Sequence, residues 1–416
     1  NALHFRDSWV RLLSPKTASA YAYFLFDIEN AVDFNKGKIL DPDALGIKVL
    51  DNQTLEVRLT KPVAFFPSLL SFMVTYPIRL DLIKKYGDHW TDPDKLVTCG
   101  PFMLKDYWPE YRIKLAQNSF YGGAPKPSLK QITFFIVPDA TTALTLAESG
   151  LIDVSPIPPL ALPHYQNDAH LVRQNKLRGT YFGFNLRQKP FDDVNFRKAL
   201  ALSLNKKELP EILKGGEKPI DSWIVPPLLA FNDQLGLKFD PAQAKQYLAQ
   251  STYGKNQELT LYFNSDAVIK KIAEWAASLW AKNLGITVHL ENMEWKAYLS
   301  KLHHEPPGFF RLGWGADYPD PDNFMNLFTT ASGNNFTGFH SPDYDQLVSE
   351  AASTLDTNKR IELYNEAQTM LLEDQCVIIP LYVASQYLWV NQKFAPYPIT
   401  PMDFAYLKKI KTHATH

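Results

Sequence analysis

The run Phe310-Arg311-Leu312-Gly313-Trp314-Gly315-Ala316-Asp317-Tyr318-Pro319-Asp320-Pro321-Asp322 carries the densest chemistry in the 416-residue chain. A strand-like stretch breaks at two glycines, which lack a Cβ and let another backbone approach closely. It then delivers a carboxylate, Asp317, into a turn stiffened by proline. Such an arrangement suits the docking of an extended peptide. An ordinary strand end followed by an acidic turn has the same composition, because Asp and Pro are common turn formers. Asp320 and Asp322 read as turn and capping residues, and the D-x-D-x-D-G spacing of a calcium loop is absent.

Other reactive constellations are missing from the sequence. It contains no GxxxxGK[ST], no GxGxxG after a strand, no HExxH and no GxSxG, so enzymes built on those templates are disfavoured and no catalytic residue is assigned. His303 and His304 are adjacent; neighbours at i and i+1 do not share a helix face and no third ligand is spaced to join them, so no metal site and no cofactor are expected. Cys99 and Cys376 are too few for a disulfide framework and are expected to be free and buried. With 43 Lys+Arg against 44 Asp+Glu the chain has no field for a polyanion, which argues against nucleic acid as a partner. No apolar run approaches the roughly 20 residues of a membrane span.

At this length two or more lobes are needed to bury the apolar residues. Residues 258–263 predict a strand. Val268, Ile272, Trp275 and Leu279 then form one helical stripe that stops at Gly285, and residues 286–290 predict a second, parallel strand. Further helices are expected at Phe5–Leu13, Leu80–Tyr86, Ala140–Ser149, around Trp295–Leu302 and over Thr357–Leu372. Ser341-Pro342-Asp343 should open another. Alternation at Thr54–Leu59 predicts a strand with Leu55, Val57 and Leu59 on one face. Strands are also expected at 132–137, 308–314 and 377–390. The pattern is α/β, with lobes around a ligand-accommodating cleft.

Several ordered blocks resemble the bacterial oligopeptide-binding proteins of peptide ABC importers, extracellular solute-binding proteins of family 5. They are residues 8–23, 97–102, 190–200, 290–296 and 313–318, beginning Ser8-Trp9-Val10-Arg11 and ending Gly313-Trp314-Gly315-Ala316-Asp317-Tyr318. The resemblance implies a periplasmic-binding-protein-like α/β fold of class II type, with two lobes of mixed sheets around a cleft and a smaller accessory domain. It implies a non-enzymatic receptor that captures a short peptide and passes it to a membrane permease. The complete protein is expected to be a monomer, periplasmic or lipid-anchored at the cell surface. Asp317 matches the family aspartate that meets the peptide's amino group, and Gly313, Trp314 and Gly315 match the strand that bonds its main chain. Arg311 and Lys214 match basic residues that meet its carboxylate; without the resemblance each reads as a surface charge. Trp295, Tyr382 and Tyr181 match aromatics of the cleft.

By the same analogy the remnant of the accessory domain covers 1–77, lobe one 78–180, lobe two 181–383, and 384–416 returns to lobe one, with the paired crossings as a hinge. Two departures matter. Where the family has a histidine before a Lys-Lys pair, this chain has Ile269 before Lys270-Lys271, so preference for ligand length is expected to differ. The chain is also expected to start after the family's first strands and export signal. Rival readings are a receptor of the same family for a dipeptide, murein peptide, metal chelate or sugar, and an extracellular hydrolase using Asp317 with Asp320. Glycosidic carboxylate pairs need fixed separations that neighbours in one turn seldom provide.

Overall fold

Asn1 opens the first helix, Ala2–Leu13, by accepting a hydrogen bond from the His4 N–H. Trp9, Leu12 and Leu13 lie on its buried face, and the Trp9 Nε1–H donates to the Thr75 carbonyl at 2.8 Å. This computed structural model describes residues 1–215, 217–254 and 257–413. The chain divides into two units: residues 1–158, 164–172 and 387–416 make the first, and residues 159–163 and 173–386 the second.

The first unit contains β1 (Ile47–Val49) antiparallel to β2 (Leu55–Val57). Leu55, Val57 and Leu59 are half-buried between exposed Glu56 and Arg58, as the alternation requires. The helix Leu80–Tyr86 ends at Gly87, whose φ of 56° suits glycine. An antiparallel sheet follows in the order β3 (Phe102–Trp108), β4 (Arg112–Gln117), β5 (Gln131–Phe135). Asp139 caps the helix Ala140–Glu148, which leads to β6 (Val154–Pro156).

The long strand β7 (Leu171–Phe184) carries the chain into the second unit. There β8 (Lys218–Pro219), β9 (Leu259–Asn264), β10 (Val288–Met293), β11 (Phe309–Gly315) and β12 (Ile378–Val390) complete a sheet ordered β10-β9-β11-β7-β12, with β8 beside β12. Residues 377–390, expected as strands, form one uninterrupted strand from Ile378. Its last residues, Leu388–Val390, return to the first unit and pair with β6.

The unit β9–helix–β10 shows why the sheet forms. Leu259, Leu261 and Phe263 are buried in strict alternation. Asp266 then caps the helix Ala267–Leu284 by accepting from the Val268 and Ile269 N–H groups, and Gly285 at φ 70° ends it. β10 returns parallel to β9. The helix buries Ile272, Trp275, Leu279 and Trp280 against Phe182, Phe184, Phe196 and Phe309 in one apolar core.

The two cysteines differ from expectation. Cys376 is buried, but Cys99 is exposed, because it lies in an irregular segment before β3 with no apolar pattern to bury it. Burial pushes the Cys376 thiol up to about 11, against the pull of Arg197 and nearby lysines. At pH 8 Cys376 therefore stays a protonated, shielded thiol. A thiol reagent such as Ellman's is expected to titrate one cysteine in the native chain and a second only after unfolding. Two fast thiols in the native chain would contradict this assignment.

Candidate functional site

β11 pairs with β7 along its whole length, from Phe309 opposite Phe184 to Gly315 opposite Arg178. With β9 it pairs only at Phe309 and Phe310. The Asn185 N–H donates to the Gly308 carbonyl, and the Ala316 N–H to the Leu177 carbonyl. Bonded and non-bonded residues alternate in an antiparallel ladder, so residues 310, 312 and 314 turn their main-chain groups toward β7. Arg311, Gly313 and Gly315 turn theirs the other way, toward the side of β9, whose ladder closes at Phe310 opposite Tyr262 and does not reach Gly313 or Gly315. The main chain of Gly313 and Gly315 thus lies on an open strand edge among the described residues. A Cβ on Gly313 would stand 3.0 Å from the Gly179 carbonyl oxygen, so glycine also lets β11 and β7 approach closely.

The turn after this edge is held from several sides. The Asn323 Oδ1 accepts from the Trp314 Nε1–H at 2.8 Å and from the Asp317 N–H at 3.2 Å. Asp320 caps the turn by accepting from the Asp322 N–H at 2.9 Å. The buried guanidinium of Arg360 grips the same carboxylate at 2.6 and 2.9 Å. The Tyr318 hydroxyl donates to Asp322 at 2.8 Å. Asp317 itself is half-buried at the mouth of this braced turn. Asp320 is thereby committed to Arg360, which leaves the hydrolase reading without its second carboxylate.

Arg311 is a buried cation, 7% exposed. Its guanidinium reaches Asn264 Oδ1 at 3.3 Å and Thr180 Oγ1 at 3.4 Å, both long contacts, and its Nε has no partner. Among the described residues no carboxylate faces it. Burying a charge without a counterion costs several kcal/mol unless an anion is supplied, so the position is suited to receive one.

The other expected residues occupy separate elements. Tyr181 sits on β7 opposite Leu312 and is enclosed by the rings of Trp223, Phe310 and Phe328. Burial holds its phenol well above the usual range. Tyr382 is buried on β12 opposite Pro219. Trp295, 45% exposed, begins the helix Trp295–His304. Lys214 is exposed at the end of the helix Leu209–Leu213 with φ 57°, and its side chain makes no hydrogen bond or ion pair among the described residues. Ile269, at the place of the family histidine, is packed in the apolar core. His304 bonds its own helix through Ser300, and His303 meets the edge of Phe336; no group of metal-ligating side chains occurs among the described residues. Asn264, Thr180, Tyr298, Asn323 and Arg360 were not singled out by the sequence.

Comparison with known proteins gives a consistent result. The profile described as bacterial extracellular solute-binding proteins, family 5 Middle, matches residues 1–336. The periplasmic oligopeptide-binding protein OppA of Salmonella typhimurium is 33% identical over 98% of this chain and 77% of its own length. A probable deoxycholate-binding periplasmic protein, YgiS of Escherichia coli, is 30% identical over 97% and 78%. Among solved structures, the murein tripeptide binding protein MppA of Escherichia coli superposes with a TM-score of 0.81 at 29% identity, over 100% of this chain and 84% of that one.

Proposed function

The chain belongs to the family 5 bacterial extracellular solute-binding proteins, and from that premise we propose that it is the peptide-binding component of an ABC importer. It acts outside the cytoplasm, catalyses nothing, and hands its ligand to a membrane permease. The observation that carries the reading is the open edge of β11. Gly313 and Gly315 offer main-chain donors and acceptors to an extended peptide, which is strand addition and gives affinity without reading side chains. Asp317 beyond one end of the edge takes the ligand's ammonium, and Arg311 at the other end takes a carboxylate. Trp314, between the two glycines, turns its main chain to β7 and has its indole N–H held by Asn323. Trp295 and Lys214, both exposed, are available to longer or bulkier ligands, whereas Tyr181 and Tyr382, expected as cleft aromatics, are packed among apolar side chains and support the sheet from within.

Incubation with a defined peptide mixture, followed by repurification, denaturation and mass spectrometry, tests the proposal. Intact short peptides should be recovered. Shortened ones, or none, would overturn it. Deoxycholate is the informative competitor, because one relative is named for it: it brings a carboxylate for Arg311 but no amine for Asp317. Binding of deoxycholate with no peptide bound would favour that second reading.

Arg311→Met makes a separate prediction. Affinity for peptides with a free C-terminal carboxylate should fall by about 1.5–3 kcal/mol, the range for a hydrogen bond to a charged group. Affinity for their C-terminal amides should change little. Because the ligand-free protein loses an unbalanced buried cation, its melting temperature should hold or rise. Equal losses for acid and amide ligands by calorimetry would remove the carboxylate role.

A further inference from the structure

The fork between β9 and β11 contains a residue whose role is not explained by packing alone. Tyr298 projects from the helix Trp295–His304 and is fully buried. Its hydroxyl donates to the Arg311 carbonyl at 2.6 Å and lies 3.2 Å from the Tyr262 carbonyl. These two acceptors belong to the two strands that part company there: the β9–β11 ladder ends at Phe310 opposite Tyr262. The Arg311 carbonyl faces away from β7 and comes next along the edge. One phenol, its single proton on the Arg311 carbonyl and the Tyr262 carbonyl within longer reach, therefore holds β11 at the point where the two strands separate.

We propose that Tyr298 is a positioning residue which closes this fork, so that the edge open to a ligand begins at Gly313 and is held in place there. The inference rests on the peptide-docking reading and specifies its register. Without the hydroxyl, the Arg311 carbonyl becomes an unpaired acceptor and the next three residues lose their anchor on the β9 side. With it, main-chain recognition is confined to Gly313 and Gly315. Asn264 has a different role at the same fork, because it touches the Arg311 guanidinium and not the edge main chain.

The test couples protein and ligand changes. A tight-binding tripeptide is compared with esters in which one backbone N–H at a time is replaced by oxygen. In the parent protein, the ester at the edge-facing position should weaken binding about fivefold, the usual worth of one hydrogen bond. Tyr298→Phe keeps the ring, should bind the parent peptide about fivefold more weakly, and should lose most of that ester penalty. Asn264→Ala should leave the penalty intact. A general loss of affinity in Tyr298→Phe with an unchanged ester penalty, or no loss at all, would overturn the proposal. The ligand-free protein supplies an independent reading: with glycine labelled by nitrogen-15, the Gly313 and Gly315 amide resonances should shift or broaden in Tyr298→Phe. Unchanged resonances sink the inference about Tyr298. Failure of the parent protein to bind any peptide sinks the docking reading instead, and the glycine resonances still decide whether Tyr298 holds the edge.

Discussion

Asp317→Asn is expected to weaken binding of peptides with a free amino terminus by about 2–5 kcal/mol, the range for removing one partner of a hydrogen-bonded charge pair. That corresponds to a loss of roughly 30-fold to several thousand-fold in affinity. Asparagine preserves the shape of the side chain, and the main-chain bond from residue 317 to Asn323 does not involve the carboxylate. The turn's main-chain geometry is therefore kept, and the loss is read in binding. N-acetylated peptides should bind the parent protein poorly and discriminate little between parent and variant. The pH dependence has a definite sign. A ligand α-amino group has a free pKa of about 7.7–8.0, and pairing with Asp317 raises it in the complex. Affinity is then full below about pH 7.7, and falls as pH rises toward the bound value. Calorimetry showing equal affinity for acetylated and free forms, or affinity that rises with pH, would exclude this role for Asp317.

What could be read in the sequence was local. The β9–helix–β10 unit was legible because alternation, an Asp cap and a stop glycine all lie within one short segment. Gly313, Gly315 and Asp317 were legible as a broken strand followed by a charged turn, but the edge they occupy was not. It depends on β9 ending its pairing at Phe310, a register set by residues about 50 positions away in sequence. Arg311 shows the same limit: an arginine between two apolar residues reads as a surface charge until the sheet buries it beside Thr180 and Asn264. Tyr298 reads as one more apolar face of a helix, since its hydroxyl finds its partners only when β9 and β11 are brought together. Asp320 was legible as a cap, which it is, whereas its ion pair with Arg360 spans 40 positions and leaves no periodic trace. Local propensity specifies elements, but long-range pairing decides which polar atoms remain available to a ligand.

That distant pair should dominate the stability of the turn. Arg360 donates two hydrogen bonds to Asp320, one to the Ala351 carbonyl and one to the Tyr364 hydroxyl. Both charged side chains are less than 10% exposed. Arg360→Met removes the cation and leaves the Asp320 carboxylate buried without a counterion, which costs about 3–5 kcal/mol. For a domain of 150–250 residues each kcal/mol moves the melting temperature by about 2–4 °C, so a fall of about 6–20 °C is expected. Adding Asp320→Asn to Arg360→Met should recover part of this loss, because no charge is then buried alone and the amide oxygen can still accept from the Asp322 N–H. Peptide affinity should fall in Arg360→Met, since Asp317 and Trp314 depend on the same turn through Asn323. Recovery in the double variant distinguishes loss of charge balance from loss of packing volume. If the double variant is no more stable than Arg360→Met alone, the arginine acts chiefly through its contacts with Ala351 and Tyr364, and the pair is not what braces the site.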